Sequence, residues 1–386
     1  MAAQLATTAQ PTTTQAQAQL QQLRQQMHSA FIGRDAEIDG LLLALLGRTH
    51  CLLLGPPGTA KSLVTQVFSA ALGGDYFQLL LTGFTTPDEV FGGPDLQALD
   101  RGEGLRRSVQ GYLPTATTAF LDECFKANSA VLNSMLTMLN EREFDNGGAR
   151  IACPLQLCVG ASNEYPADAS LEALYDRFQL RYWTDYVPTR SQRMALLTCP
   201  DPATQVSAQL TLEQVVELQQ LVRTVQVPAQ VLEGLLDVAE ALARDHGLVV
   251  SDRRLRSAVK LVQARAVLHG RTVATLRDLL VLADSVWHRH DQRPTVLATV
   301  LQVAAPALQQ AQQLADAARE AHDTVQDWKD LNHVQRQLGT IKRVERELAV
   351  LGADDADVVA LHAQVVQLRK ALARGFVRAS GLPGAL

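Results

Sequence analysis

The sequence predicts an α/β fold in which a parallel sheet carries helices on both faces, followed by an all-helical region and a C-terminal helical hairpin. Two observations lead to this prediction. Short apolar runs alternate with amphipathic helical stretches from about residue 31 to residue 187, and the strand signal fades after Pro188. Strands that are apolar throughout and separated by helices are typical of a parallel sheet covered on both faces.

Four clear strands are predicted in the α/β part, and one long connection interrupts them. Residues 84–117, rich in Gly, Pro and Thr, separate the second strand from the third. Long connections inside compact domains are usually functional, so we expect this segment to take part in function. The predicted strands are 49–55, 76–83, 118–123 and 155–163, with amphipathic helices over 61–72 and 128–143 and a further strand after Arg177.

The helical part divides at the sequence DQRPT. Before it, several helical stretches begin beside Thr or Ser and end on Gly, which are N-cap and C-cap signals. After it, apolar residues keep three–four spacing from Trp328 to Leu351 and from Val358 to Leu372, which predicts two antiparallel helices joined by an acidic turn. We therefore predict a low-complexity, partly disordered leader (1–28) with a helix beginning near Gln15, an α/β subdomain (29–188), an all-helical subdomain (189–295) and a helical hairpin region (296–386).

Composition and cysteine usage argue against several classes of protein. The chain has 386 residues, 47% hydrophobic and 19% charged, and its formal net charge of −5 disfavours a dedicated binder of duplex nucleic acid. Its five cysteines lack the CxxC spacing of a metal site. Cys51, Cys153 and Cys158 lie in strand-like runs and are predicted to be buried, reduced thiols. The N-terminus does not resemble a secretory signal, and no apolar run predicts a membrane span, so we expect a cytoplasmic protein.

The stretch LLLGPPGTAKS carries the spacing of a phosphate-binding loop. Gly55 is followed by four residues and then by Ala60, Lys61 and Ser62, with Ala60 standing where the strict pattern has Gly. A predicted strand precedes the loop and a helix follows it, so backbone N–H groups and the positive helix end point at a phosphate. Lys61 is predicted to reach the β- and γ-phosphates of ATP, and Ser62 to ligate Mg²⁺. The predicted nucleotide-binding residues of this loop are Gly55, Pro56, Pro57, Gly58, Thr59, Ala60, Lys61, Ser62 and Leu63.

Two adjacent carboxylates end the third predicted strand, in the sequence TAFLDE. Successive side chains along a strand point to opposite faces, so Asp122 and Glu123 are expected to serve different partners. Asp122 fits the position that holds the Mg²⁺ shell in proteins with a phosphate-binding loop. Glu123 is predicted to be the general base that accepts a proton from the attacking water. A nucleoside-phosphate kinase would not need Glu123, so this residue favours hydrolysis.

Asn163 and Arg177 are further candidates, each with an alternative explanation. Asn163 ends the fourth strand and is expected either to orient the attacking water or simply to form a turn before Pro166. Arg177 follows a short predicted helix. It is expected either to form a surface ion pair of little energetic value or to reach the nucleotide of a neighbouring subunit as an arginine finger.

Several stretches, in order and at matching spacings, resemble the MoxR group of AAA+ ATPases, with the RavA-type branch as the nearest. The resemblance covers about residues 25–295. It rests on GPPGTAKS, FLDECFKAN, GASNEYP, ALYDRF, VSDRRLRSAVKLVQARAVLHGR, LTGFTTPDEVFGG and SVQGYLPTATTAFLDE. One departure is clear: RavA-type proteins carry a β-rich domain inserted in their C-terminal helices, and this sequence shows only helical patterns there.

The resemblance implies a P-loop AAA+ sheet, a helical lid and a homo-oligomeric ring, commonly hexameric, with ATP and Mg²⁺ between subunits. It implies that Asn163 is sensor 1, that Arg177 is the arginine finger, and that sensor 2 is Arg253 or Arg254. It also places Ile32 and Gly33 near the adenine. Residues 84–117 resemble the helix-2 insert and residues 141–154 the pre-sensor hairpin, with Asn146-Gly147 as its predicted turn.

The implied function is an ATP-hydrolysing ring that remodels a partner protein, expected to contain a von Willebrand factor A (vWA) domain. A Rubisco-activase-like or magnesium-chelatase-like motor subunit is one alternative, and a nucleotide-gated scaffold with slow hydrolysis is another. A DNA-translocating helicase is the last. The acidic balance of the chain and the mostly neutral 84–117 segment disfavour it. The small basic cluster of Arg101, Arg106 and Arg107 is expected either to be a solvated loop face or to grip a substrate.

Overall fold

The computed structural model describes residues 14–102, 104–166, 169–325, 328, 330–351 and 355–380. They belong to two compact units, one that extends to Val296 and one that begins at Leu297. Residues 1–13 of the predicted leader lie outside the described residues, and a helix begins at Gln15, as predicted. The four predicted segment limits stay predictions.

The core of the first unit is a parallel sheet, which confirms the predicted fold class. The strands in chain order are β1 His50–Leu54, β2 Tyr76–Leu80, β3 Thr118–Asp122, β4 Glu143–Asn146, β5 Ala149–Ala152, β6 Leu157–Ser162 and β7 Phe178–Trp183. Five of them form one sheet in the order β2-β3-β6-β1-β7, parallel throughout. All residues of β1 and β6 are buried, as expected where helices cover both faces.

The register of the sheet brings the ends of its strands together. Leu54 pairs with Ser162 and with Trp183, and Leu80 pairs with Asp122. The residues that follow β1, β3 and β6 therefore meet at one edge, which we call the carboxyl edge. The residues that precede the strands meet at the opposite edge, the amino edge.

Helices cover this sheet and continue beyond it. Thr189 and Thr211 close capping boxes at two helix starts, and Gly247 ends another helix in the left-handed conformation. The helices up to the end of the first unit are α1 Gln15–Ala30, α2 Asp35–Leu46, α3 Lys61–Leu72, α4 Pro87–Phe91, α5 Leu96–Asp100, α6 Ser129–Glu141, α7 Ala169–Tyr175, α8 Arg190–Thr198, α9 Pro202–Gln205, α10 Leu212–Thr224, α11 Ala229–His246 and α12 Asp252–Leu268, followed by α13 Arg293–Ala304, which runs into the second unit.

Short 3₁₀ helices connect these elements. One of the helical stretches expected before DQRPT, TLRDLLVLADSVWHRH, forms a 3₁₀ helix over Leu276–Asp284 rather than an α-helix. The fully buried Asp278 binds Arg271 through both oxygens and also accepts the Thr275 N–H, which ties down its first turn. The 3₁₀ segments are Leu113–Thr115, Cys124–Lys126, Leu276–Asp284 and His290–Gln292.

The hairpin between α6 and β6 forms, but its predicted turn is wrong by one residue. Asn146 pairs with Ala149, so the two turn residues are Gly147 and Gly148. Their φ values of 63° and 84° suit the type I′ turn that two-residue hairpin loops favour. Asn146 stays in the strand, where its side-chain amide accepts from the Arg107 N–H at 2.7 Å and donates to the Arg107 carbonyl at 3.1 Å. The hairpin is thereby joined to the 84–117 segment.

The second unit contains one more helix than the predicted hairpin. Its helices are α14 Pro306–Asp323, α15 Leu331–Leu351 and α16 Ala356–Ser380, and each contacts the other two. The predicted pair is α15 with α16, linked by Arg369–Glu345 at 2.6 Å. The buried face of α14 consists of Leu308 and four alanines, which explains why apolar spacing did not reveal it. Among the described residues after Trp183 there is no strand, and no helix long and apolar enough to span a membrane.

Candidate nucleotide site

The loop between β1 and α3 has the conformation expected of a phosphate-binding loop. Gly55 and Gly58 have φ values of 137° and 75°. A side chain at Gly55 would place its Cβ 2.1 Å from the Thr184 carbonyl oxygen, so only glycine fits there. Ala60, at φ 66°, is also left-handed, which is a strained conformation for a residue with a Cβ. The loop therefore keeps a shape that favours glycine even where it carries alanine.

The side chain of Lys61 lies across this loop. Its Nζ donates to the carbonyl oxygens of Gly55 and Pro56, both at 2.8 Å. Burial lowers the pKa of Lys61, while the nearby charges of Asp122 and Glu123 act to raise it. The predicted lysine and the two predicted carboxylates thus lie together at the carboxyl edge. A polyphosphate there would meet the positive charge of Lys61 and the positive end of α3.

The two carboxylates do not alternate along a strand as predicted. Strand β3 ends at Asp122, and Glu123 adopts the left-handed conformation at φ 50°. Strand alternation therefore does not set the direction of Glu123, and that part of the prediction is wrong. Asp122 Oδ1 accepts the Glu123 N–H at 3.0 Å, and Lys126 Nζ lies 3.5 Å from Glu123 Oε2.

Glu123 also carries an unsatisfied polar atom. Its Oε2 is buried and has no hydrogen-bond partner within the described part of the chain. Strained backbone and unpaired buried polar atoms both concentrate at functional sites, because elsewhere nothing offsets their energetic cost. The left-handed backbone and the unsatisfied oxygen, whose nearest charge is Lys126 at 3.5 Å, both mark Glu123 as a candidate functional residue.

Asn163 lies beside the phosphate-binding loop. The Gly55 N–H donates to the Ser162 carbonyl at 3.0 Å, which holds the end of β6 next to the loop. Ser162 Oγ in turn bonds the backbone of Glu164 on both its N–H and its carbonyl, which forms a tight turn around Asn163. The Asn163 side chain is exposed at this edge. Asn163 therefore lies in a turn and also beside the phosphate-binding loop, so both explanations for this residue stay open.

A cavity of about 670 Å³ adjoins the loop. That volume is within the range of roughly 300–1,000 Å³ found for small-molecule sites. Ile32 lines it; Gly33 does not, but a Cβ on Gly33 would lie 3.1 Å from the lining residue Val187. The placement of both residues near an adenine stays a prediction. Tyr186 also lines it and donates its hydroxyl to the Pro57 carbonyl at 3.1 Å. Further lining residues that the sequence did not indicate are Phe31, Leu196, Cys199 and Pro202.

These residues fit a nucleoside triphosphate and its metal ion. The cavity walls are mainly apolar, as a base requires, and the glycine-rich loop beside it offers room for phosphates. Ser62 is exposed at the start of α3, and Asp122 ends β3 at the same edge. Hydroxyl and carboxylate oxygens are the ligands that Mg²⁺ takes, so Ser62 and Asp122 would hold it.

Arg177 lies away from this site, at the amino edge. It immediately precedes β7, whose first residue Phe178 pairs with the first residue of β1. Arg177 lines a second cavity of about 180 Å³, which we call the basic cavity. Burial and the charge of Arg253 lower the pKa of Arg177, and its Nε is buried without a hydrogen-bond partner among the described residues.

The two candidates for sensor 2 have different surroundings. Arg253 lines the basic cavity with Arg177 and donates to Asn140 Oδ1 at 2.8 Å. Arg254 is buried, donates to the Ser285 carbonyl, and binds Asp176 at 2.7 Å. Asp176 also lies 3.7 Å from Arg253. Asp176, which directly precedes Arg177 in the sequence, is therefore shared by Arg253 and Arg254 of α12.

Three further cations line the basic cavity, and the sequence did not indicate them. They are Arg48, Arg142 and Lys260. Arg48 follows α2, Arg142 follows α6, and Lys260 lies on α12, so they are remote in sequence and carry no shared motif. Both Arg48 and Arg142 have positive φ, which sequence patterns for non-glycine residues do not reveal.

Comparison with known proteins shows the family to which the chain is similar. Residues 18–223, more than half of the chain, match the family model described as the MoxR domain in the MoxR-vWA-beta-propeller ternary systems, and residues 230–300 match an AAA lid domain. An uncharacterized protein of Methanocaldococcus jannaschii is 35% identical over 268 residues, 69% of this chain and 70% of that protein. The chaperone MoxR1 of Mycobacterium tuberculosis is 23% identical over 280 residues, 67% of this chain and 72% of the relative.

A solved structure shares the fold. The crystal structure of a candidate ATPase from Cytophaga hutchinsonii superposes with a TM-score of 0.60 at 16% sequence identity, over 75% of this chain and 94% of that one. At this level of identity the similarity shows the fold alone.

Proposed function

The chain belongs to the MoxR family of AAA+ ATPases, and we propose that it hydrolyses ATP in a homo-oligomeric ring, hexameric as the resemblance implies. The observation that supports this most directly is the separation of the candidate residues. The phosphate-binding loop, Asp122, Glu123 and Asn163 lie at the carboxyl edge, whereas Arg177 and Arg253 lie at the amino edge. A site that needs both sets is completed only when a second copy supplies the arginines.

In the proposed reaction each residue has one task. Lys61 and the backbone of the loop neutralise the β- and γ-phosphates; Ser62 and Asp122 would hold Mg²⁺, which when bound would withdraw charge from the γ-phosphate. Asn163 orients a water molecule, and Glu123 accepts its proton as the water oxygen bonds to the γ-phosphorus. The bond to the β–γ bridging oxygen breaks, and ADP leaves. Arg177 and Arg253 of a neighbouring copy stabilise the charge that develops.

The proposed partner is a protein that contains a vWA domain. The matched family model is described as belonging to MoxR-vWA-beta-propeller systems, which supports this partner. We propose a chaperone-like role, in which ATP turnover remodels the partner in the cytoplasm. Membership of the RavA-type branch stays a prediction, as does the expectation that residues 84–117 and 141–154 face the ring's pore.

The rate of ATP hydrolysis also distinguishes the scaffold from the motor functions. A scaffold with slow hydrolysis differs from a motor, whether chaperone-like, Rubisco-activase-like or magnesium-chelatase-like, by its turnover number. A helicase would use the basic cluster of the 84–117 segment. Arg107 of that cluster is engaged by Asp88 and donates to the Gly92 carbonyl, which reduces the free charge available to a nucleic acid.

The test is ATP turnover per chain as the protein concentration rises, for wild type and for Arg177→Ala. We expect turnover that climbs with concentration and falls by about 10³-fold in Arg177→Ala, while ATP still binds, because an arginine finger contributes on the order of 10³–10⁵ in rate. The exposed Arg256→Ala on α12 is the matched control and should behave as wild type. Turnover that is independent of concentration and of Arg177 would refute the shared site.

A further inference from the structure

The basic cavity holds more positive charge than the chain itself balances. Arg48, Arg142, Arg177, Arg253 and Lys260 line it, and no Asp or Glu is among its lining residues. The carboxyl ends of α2 and α6 reach it, and each helix end contributes roughly −0.5 of an elementary charge. The five cations thus face about one negative charge from the two helix ends, together with part of the charge of Asp176, which lies 3.7 Å from Arg253.

The cations are close enough to affect one another. Burial and then the charge of Arg48 lower the pKa of Arg142 to about 10. The neighbouring carboxylate, Asp176, is bound more closely to Arg254, at 2.7 Å, than to the lining residue Arg253, at 3.7 Å, and Arg254 does not line the cavity. Arg48, Arg253 and Lys260 are exposed, so solvent screens part of their mutual repulsion, and an anion bound among the five cations would offset the rest.

Part of the cavity wall is preorganised. Arg142 donates to the carbonyl oxygens of Leu155 at 2.8 Å and Arg48 at 2.9 Å. Arg48 and Lys260 are free to bind, because their side chains make no hydrogen bond or ion pair with other described residues. Lys260 lies seven residues after Arg253 on α12, which places both on one face of the helix, two turns apart.

We propose that the basic cavity binds a phosphate-bearing anion, with Arg48 and Lys260 as direct ligands beside Arg177 and Arg253. Two sources share this chemistry: the γ-phosphate of ATP held by a neighbouring copy, and free phosphate or pyrophosphate in solution. The first source rests on the proposed function; the second does not. Arg48 and Lys260 then add two phosphate contacts to the residues predicted from the resemblance.

Two experiments distinguish the sources. In the first, ATP turnover is measured for the double variant Arg48→Gln/Lys260→Gln by itself and for its mixture with Lys61→Ala. The double variant keeps its phosphate-binding loop, and Lys61→Ala keeps its basic cavity. If the cavity serves a neighbour's ATP, the double variant alone loses about tenfold or more in turnover, and the mixture exceeds the sum of its parts.

In the second experiment, inorganic pyrophosphate is added to Lys61→Ala, whose loop is disabled, and the midpoint of thermal unfolding is followed. If the cavity binds free phosphate, the midpoint rises with pyrophosphate, and the rise disappears when Arg48→Gln and Lys260→Gln are added to the same chain. Arg256→Gln, an exposed change on α12 outside the cavity, is the control for both experiments and should leave both readouts unchanged.

The outcomes separate this inference from the proposed function. If turnover recovers in the mixture, the phosphate bound by the cavity belongs to a neighbour's ATP. If pyrophosphate raises the unfolding midpoint but turnover does not recover, the cavity binds free phosphate or pyrophosphate from solution. If the double variant matches Arg256→Gln in both assays, the cavity is not a phosphate site, although wild-type turnover would leave the proposed function standing. If the wild type has no turnover at all, the proposed function fails while the pyrophosphate assay still decides the cavity.

Discussion

At the scale of single residues, the loop conformation of Ala60 has a measurable cost. A left-handed alanine costs about 1–2 kcal/mol, while glycine loses about 0.4–1 kcal/mol more entropy on folding. We expect Ala60→Gly to raise the free energy of unfolding by about 0.5–1 kcal/mol. Chemical denaturation measures this. Ala70→Gly, an exposed helical position of α3, is the control and should instead lower stability by about 1 kcal/mol. A loss of stability in both variants would contradict the strain at Ala60.

Glu123 offers a second test at this scale. Glu123→Gln keeps the size and hydrogen-bonding reach of the side chain but removes the base. We expect ATP binding to persist and turnover to fall by about 10²–10⁴-fold, the usual contribution of general-base catalysis. Glu164→Gln, at an exposed carboxylate near the same edge, is the control and should retain turnover. Wild-type turnover in Glu123→Gln would overturn the assignment of the base.

At the scale of elements, Asn146 is expected to hold two segments together. Asn146→Ala removes both side-chain hydrogen bonds to Arg107 and leaves a backbone N–H and carbonyl without partners. The stacked rings of Phe91 and Phe144, 5.3 Å apart, remain as a second link. We expect hydrogen exchange at the Arg107 amide to accelerate at least tenfold, since an unsatisfied buried group costs about 1–3 kcal/mol. Asn133→Ala, on the exposed side of α6, should leave that amide protected.

Several elements follow from the sequence, and the exceptions have physical causes. The strands, α3 and the α15–α16 pair were predictable because their apolar residues keep a clear period. Helix α14 was not, because alanine contributes little to such a pattern although it packs well. The hairpin turn was predicted one residue too early because Asn-Gly and Gly-Gly both suit a type I′ turn. Strand register decides between them.

The candidate site was predictable from local motifs at its carboxyl edge, whereas Arg177 and Arg253 of the amino edge became candidates mainly through the family resemblance. The phosphate-binding loop and the residues after β3 and β6 are contiguous motifs, so their types and spacing indicate their place. The conformation of Glu123 was not predictable, because the end of β3 depends on the turn that follows it. The basic cavity depends on the packing of α2, α6, α12 and β7, and no local pattern connects them.

At the scale of the whole molecule, two histidines make stability depend on pH. Burial lowers the pKa of the buried His50 to about 3. Partial burial, together with the charges of Arg265, Arg24 and Arg271, lowers the pKa of the more exposed His269 to about 4. The unfolded chain takes up these protons near pH 6.5 and the folded chain does not, so their contribution to stability falls as pH drops from about 6.5 towards 4. The raised pKa values of Glu37 and Asp284 act in the opposite direction.

A variant isolates the histidine contribution. His50 Nδ1 accepts the Cys158 N–H at 3.1 Å and its Nε2 lies 2.8 Å from the Leu139 carbonyl, so the ring is neutral with its proton on Nε2. In His50→Gln the pH dependence between 6.5 and 5 should be shallower by about 1 kcal/mol per pH unit, the scale of one proton. Urea midpoints at pH 7.5, 6.5 and 5.5 measure the slope. Equal slopes in both proteins would show that His50 titrates normally when folded.

The two edges of the sheet give the subunit a polarity. If one edge holds the nucleotide and the other supplies the arginines, successive copies associate head to tail, and such contacts either close into a ring or extend as an open chain. An open chain leaves one nucleotide at its end without a neighbour's arginines, whereas a closed ring leaves none. Closing the ring therefore completes one more active site than an open chain of the same number of copies has. A copy that lacks its amino-edge arginines inactivates the site of its neighbour rather than its own.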